Sequence, residues 1–102
     1  MSAINLTSAS FNEVIASGRT LVDFWAGWCM PCRIVSPVIE ELADEFKGRI
    51  TVAKVNVENE GELAVRFGVQ SIPTVILFEN GTEINRFIGS KDKETYKNAI
   101  DN

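Results

Sequence analysis

The hydrophobic pattern of the chain changes between strand-like and helix-like segments. Residues 20–26 form a nearly continuous apolar run, which is typical of a strand that is buried on both faces. From Cys32 to Phe46, apolar residues recur at helical spacing and acidic residues take the opposite side, so this segment predicts an amphipathic helix. Residues 50–57 alternate and are rich in β-branched side chains, which predicts a second strand.

Capping and amphipathic signals predict three further helices. Ser10 and Glu13 have the spacing of a capping box, and they predict a short helix that begins at Ser10 and ends near Gly18. Residues 60–67 predict another short helix, which a glycine ends. Residues 91–100 predict a modest amphipathic helix.

The last two predicted strands form a hairpin. Residues 73–78 and 83–88 flank Asn80-Gly81, and Asn-Gly between two strands is the strongest short-range hairpin signal. The resulting order is helix, strand, helix, strand, helix, hairpin and helix. It predicts an α/β fold whose mixed sheet has parallel crossovers, an antiparallel edge and helices on both faces. The length of 102 residues predicts one domain, residues 1–102.

Composition excludes several classes of function. The net charge of -4 and the scattered lysines and arginines make nucleic acid an unlikely partner. The absence of histidine excludes Cys-His and Ser-His-Asp catalysis. With two cysteines, a zinc site needs carboxylates or a second copy of the chain, so a metal-binding dimer is only a distant alternative.

The chain has no predicted membrane segment. No stretch approaches the roughly 20 apolar residues that span a bilayer. The segment 1–7 has neither a basic region nor a long apolar region, so no secretory signal is predicted. The expectation is therefore a cytoplasmic protein.

Cys29 and Cys32 are the two cysteines, and they lie three positions apart. A disulfide across so small a loop stabilises the fold little, so the spacing favours redox exchange over a structural role. Cys29 directly precedes a helix, whose free N–H groups favour a thiolate. Cys32 lies one turn further in. We therefore expect Cys29 to be an exposed nucleophile and Cys32 to be the resolving thiol.

The motif at residues 24–33, Phe-Trp-Ala-Gly-Trp-Cys-Met-Pro-Cys-Arg, resembles the active-site signature of the thioredoxin family. The resemblance extends from Ile4 to Ile100. The other matching positions are Asp23, Pro37, Lys54, Ile72-Pro73, Asn80-Gly81 and Gly89. It implies the thioredoxin fold, with a mixed sheet of about five strands flanked by four helices.

The resemblance also implies a function. The expected protein is a monomeric protein-disulfide reductase that would carry electrons through a reversible Cys29–Cys32 disulfide. It needs no other cofactor and no metal, and a thioredoxin reductase recharges it. Its substrates are disulfide-containing proteins, and it contributes to electron transport and cell redox homeostasis.

Further roles come from the resemblance with support from the residues. Asp23 would be a general base that helps to deprotonate Cys32, and Lys54 its nearby cationic partner. From the residues alone, either charge could equally lie on a solvated face. Ile72-Pro73 would form a cis bond that places the backbone of Ile72 against the cysteines, although most X-Pro bonds are trans.

An apolar patch is expected around Cys29. It would bind flexible partners through Trp28, Met30, Pro31, Ile72, Pro73 and Gly89. Trp25 alternates with Asp23 in the strand and is expected to pack near it; both tryptophans could instead be core residues.

One departure from the family keeps alternatives open. Thioredoxins usually carry Gly-Pro between the cysteines, and this chain has Met30-Pro31. Methionine restricts the backbone more than glycine does and places a polarisable side chain beside the nucleophile, and either effect can shift the redox balance. The departure therefore leaves a protein disulfide oxidase or isomerase as one alternative. A binding module, in which the apolar patch docks a partner and the thiols are incidental, is another.

Overall fold

The computed structural model describes residues 3–102 and contains five strands and four helices. The strands are β1 (Ile4–Asn5), β2 (Arg19–Trp25), β3 (Thr51–Asn56), β4 (Thr74–Glu79) and β5 (Thr82–Ile88). The helices are α1 (Ser8–Ile15), α2 (Met30–Glu45), α3 (Gly61–Arg66) and α4 (Lys93–Asp101). The predicted α/β fold with about five strands and four helices is confirmed.

Strand β2 lies at the centre of one mixed sheet with the order β1-β3-β2-β4-β5. It runs parallel to β3 and antiparallel to β4, and the β4–β5 hairpin forms one edge. Residues 20–24 of β2 are all buried, as the apolar run predicted. The parallel crossovers and the antiparallel edge are therefore both confirmed.

Two apolar layers cover the sheet. On one face, α2 and α4 contribute Ile39, Leu42 and Tyr96, which pack over Leu21 and Val75. On the other face, α1 and α3 pack over alternate strand residues. The members of that layer include Phe11, Val22, Phe24, Leu63, Ile76 and Phe78. Because successive strand residues point to opposite faces, the single run of β2 supplies both layers.

The start of α1 differs from the prediction. The helix begins at Ser8 with Thr7 as its N-cap, and the Ser10 hydroxyl accepts the backbone N–H of Thr7 at 3.1 Å. The capping box predicted for Ser10 and Glu13 is therefore wrong. The free N–H of Ser8 is instead bound at 2.8 Å by the carboxylate of Glu60, which is distant in sequence.

Strand β1 was not predicted. It consists of Ile4 and Asn5, which pair in parallel with Ala53 and Lys54 at the outer edge of β3. Two residues are too few to show an alternating pattern, so this strand depends on the sheet that receives it.

The predicted hairpin turn is confirmed. Asn80 and Gly81 both have positive φ, at 50° and 85°, as the right-handed twist of a hairpin requires. The turn also binds the loop before β2. The N–H of Asn80 donates to the carbonyl of Gly18 at 2.9 Å, and the Asn80 side chain accepts the N–H of Gly18 at 2.8 Å.

We expect Asn80→Ala to lower the free energy of unfolding by about 1–2 kcal/mol, because alanine tolerates a positive φ poorly and lacks the amide acceptor. Asn80→Gly keeps the backbone conformation and loses only the side-chain hydrogen bond, so it should cost less. Urea unfolding of the three proteins measures both effects. Equal losses for the alanine and glycine variants would contradict the role given to the positive φ.

Candidate active site

The cysteine pair lies where the chain leaves β2 and enters α2. Cys29 is the N-cap of α2, and its sulfur accepts the backbone N–H of Cys32 at 3.2 Å. Pro31 occupies the first turn, where its missing N–H leaves no helical bond unmade. The two sulfurs form a disulfide, as the spacing predicted, with the α-carbons 5.3 Å apart.

The expectation that Cys29 is exposed is wrong for this disulfide form. Cys29 is 4% exposed and Cys32 is 3% exposed. Both pack in a small apolar cluster with Ala26, bordered by Trp25, Val57 and Ile72. Residues from three separate segments therefore cover the sulfurs, which a reading of the helix start alone cannot reveal. The two cysteines differ in position, since Cys29 precedes the helix and Cys32 lies within its first turn.

A second loop lies against Cys29. Its Ile72-Pro73 peptide bond is cis, as the family resemblance implied. The Cys29 sulfur lies 3.6 Å from the carbonyl oxygen of Ile72. The carbonyl of Pro73 accepts the N–H of Gly89 at 2.8 Å, which brings the end of β5 to the same place. The structure therefore brings the cysteine, proline and glycine loops together.

The surface around the cysteines is apolar and exposed. Trp28 is 70% exposed and Met30 is 61% exposed, so neither is a core residue. Pro31 is also exposed, whereas Ile72 is half-buried and Pro73 is buried.

Sequence reasoning missed two neighbours of this surface, Ile34 and Ile88, which are both largely exposed. Ile34 lies one helical turn after Met30, and Ile88 directly precedes Gly89. An apolar residue outside the buried stripe of α2 was the available signal for Ile34.

Asp23 lies in the middle of β2 and is 1% exposed. Among residues 3–102, its two carboxylate oxygens have no hydrogen-bond partner. Burial raises its pKa from 3.8 to about 7, while the positive charge of Lys54 opposes this rise and the negative charge of Glu40 adds to it. The alternative of an ordinary charge on a wet face is therefore wrong.

Lys54 lies beside Asp23 in the sheet, because the two residues are paired in the register of β2 and β3. Its ammonium nevertheless contacts other groups. It donates to the hydroxyl of Ser36 at 2.9 Å and lies 3.8 Å from the carboxylate of Glu40. It also lies 5.1 Å from the ring centre of Trp25. Lys54 therefore lies near Asp23 and acts on it through its charge, without a hydrogen bond between the two side chains.

Two features that are absent from residues 3–102 bear on other functions. No group of three or more Cys, Asp or Glu side chains in this range is placed to hold a metal ion. None of the helices in the range combines the length and the apolar composition needed to cross a membrane.

The raised pKa of Asp23 makes stability depend on pH. In the unfolded chain the carboxyl ionises near pH 3.8, but in the folded protein it ionises near 7, so stability falls as pH rises between these values. The loss amounts to roughly 4 kcal/mol at pH 8. We expect Asp23→Asn to stabilise the oxidised protein by about this amount at pH 8 and by less than about 1 kcal/mol at pH 4.

Urea unfolding of the oxidised protein at the two pH values measures this difference. Glu13→Gln, which changes an exposed carboxylate, is the matched control and should show little pH-dependent gain. A gain for Asp23→Asn that is the same at pH 4 and pH 8 would contradict the pH linkage.

Comparison with known proteins agrees with this geometry. The family model described as thioredoxin matches residues 2–102. Thioredoxin of Staphylococcus haemolyticus is 40% identical over 101 residues, which cover 99% of this chain and 97% of the relative. Thioredoxins of Staphylococcus saprophyticus and Staphylococcus aureus are 39% and 38% identical with the same coverage. With its disulfide at the start of α2, the chain belongs to the thioredoxin family.

Proposed function

We propose that this thiol–disulfide oxidoreductase reduces protein disulfides with Cys29 as the nucleophile and Cys32 as the resolving thiol. The main support for this proposal is the position of Cys29. Its sulfur accepts a backbone N–H at the start of α2, where the helix dipole also favours negative charge. Both effects stabilise a thiolate, which is the species that attacks a disulfide.

The reaction has two exchange steps. The Cys29 thiolate attacks one sulfur of the substrate disulfide, forms a mixed disulfide and releases the other substrate sulfur as a thiolate. Cys32 then loses its proton and attacks the Cys29 sulfur, which forms the Cys29–Cys32 disulfide and releases the second substrate thiolate. The substrate gains two electrons, and its two thiolates take up protons.

The substrate would bind along the apolar surface beside Cys29. The Ile72 carbonyl lies next to the nucleophile, so a peptide that carries the disulfide can pair with the backbone there. Trp28, Met30 and Pro31 would contact its side chains, and Pro73 and Gly89 would support the loop. Such contacts depend on shape and backbone, which suits a range of protein substrates.

Asp23 would take the proton of Cys32, directly or through a bridging water. A buried carboxyl with a pKa near 7 is close to the operating pH, which is the condition for efficient general-base catalysis. Trp25, two residues further along β2, packs against the cysteine cluster and connects the two parts of the site.

The proposal also includes an electron donor and a cellular location. The proposed electron donor is a thioredoxin reductase, because the chain needs an external dithiol to return its disulfide to the reduced form. The proposed location is the cytoplasm, where thiols are kept reduced. There the chain would act as a monomeric single domain in electron transport and redox homeostasis.

We expect Cys32→Ser to accumulate a mixed disulfide with a protein substrate, because Cys29 can attack but nothing releases the product. Cys29→Ser should form no adduct and have no activity. Mass spectrometry after mixing with a disulfide-containing protein detects the adduct. If Cys32→Ser keeps full function without an adduct, the thiols are incidental and the chain is a binding module.

We expect the tryptophan fluorescence to show one reversible two-electron transition in thiol/disulfide buffers. Its potential should lie well below that of the glutathione couple, as in a reductase. Met30→Gly is the matched variant and measures how the methionine alters the potential. A transition near that of disulfide-forming enzymes would instead indicate an oxidase or isomerase.

A further inference from the structure

Ser36 and Glu40 are two polar residues of α2 that both contact Lys54 of the sheet. They lie four and eight residues after Cys32, so the three residues share one stripe of the helix. The ammonium of Lys54 reaches this stripe from β3, 2.9 Å from the Ser36 hydroxyl and 3.8 Å from the Glu40 carboxylate. The Lys54 side chain is only 13% exposed, so these two contacts hold its ammonium group in a largely buried position.

Asp23 competes for the same ammonium. It lies in register with Lys54 on the neighbouring strand, and residues paired in this way project from the same face of the sheet. An ion pair between them would relieve the cost of a buried charge. The carboxylate of Asp23 has no hydrogen-bond partner within residues 3–102, so the helix, and not Asp23, holds the lysine.

Four elements of the fold place a side chain near the carboxyl group of Asp23. Strand β3 contributes Lys54, which favours the ionised carboxylate, and α2 contributes Glu40, which opposes it. Helix α4 contributes Tyr96, whose own pKa is raised by its burial and, in part, by the charge of Asp23. Strand β4 contributes the apolar Val75. Lys54 is therefore the cation whose position decides how readily Asp23 ionises.

We propose that Ser36 is a positioning residue whose hydroxyl, together with Glu40, holds the Lys54 ammonium away from Asp23 and so keeps that buried carboxyl available to accept the proton of Cys32. The proposal rests on the proposed role of Asp23 as the base. If the hydroxyl is removed, the flexible lysine can turn toward the unpartnered carboxylate. Asp23 then ionises at lower pH and becomes a weaker base.

The test follows the ionisation of Asp23 by carboxyl ¹³C NMR in the oxidised protein, where the cysteines do not titrate. Ser36→Ala should lower the midpoint by about one pH unit, which is the size of shift that an approaching opposite charge produces. Ser36→Thr keeps the hydroxyl and should stay near the original midpoint. Glu40→Gln removes the second anchor of Lys54 and the negative charge near Asp23, so it should also lower the midpoint.

A double-variant comparison shows whether Ser36 acts through the lysine. In a Lys54→Met background, Ser36→Ala should leave the midpoint of Asp23 unchanged, because there is no ammonium to release. A midpoint that Ser36→Ala does not move in the original protein overturns the proposal. So does a shift of equal size in both backgrounds.

A rate measurement separates this proposal from the function on which it rests. Asp23→Asn should slow the release of product from the mixed disulfide about 100-fold at neutral pH if Asp23 is the base. If Asp23→Asn slows release but Ser36→Ala moves no midpoint, the base stands and the role of Ser36 is wrong. If Asp23→Asn has no effect on release, the base itself is wrong, and the catalytic part of this proposal falls with it.

Discussion

The burial of β2 between two apolar layers is the constraint on which the site depends. The strand pairs with β3 and β4 along its length, and both of its faces are covered by helices. Its direction and its end are therefore fixed, and so is the point at which Cys29 and α2 begin. The same burial removes Asp23 from water and thereby raises its pKa. The same packing of β2 thus determines the position of Cys29, the proposed nucleophile, and raises the pKa of Asp23, the proposed base.

The elements that carry their own pattern could be predicted from the sequence. The apolar run of β2 and the helical spacing of α2 are long enough to show their period, and Asn80-Gly81 specifies its own turn. The start of α1 could not be found in this way, because its first N–H is capped by Glu60 across the fold. Local chemistry is readable in a sequence, whereas a partner brought from elsewhere by packing is not.

The same distinction applies within the site. The spacing of the cysteines indicated a redox pair, but their burial depends on Val57 and Ile72, which come from other segments. The register of Lys54 beside Asp23 follows from the order of the strands, but the direction of its side chain is decided by Ser36 on α2. A single serine on the buried side of a helix has no periodic signature, so sequence reasoning passed over it.

The burial of both sulfurs in the disulfide form has a consequence for recharging. The reduced form meets substrates, but the oxidised form is the one that an electron donor must attack. With only 3–4% of each cysteine exposed, the disulfide offers an incoming thiol little open surface. So small an opening favours a donor whose thiol projects from its own surface, and steric reach then contributes to donor selection together with chemical reactivity.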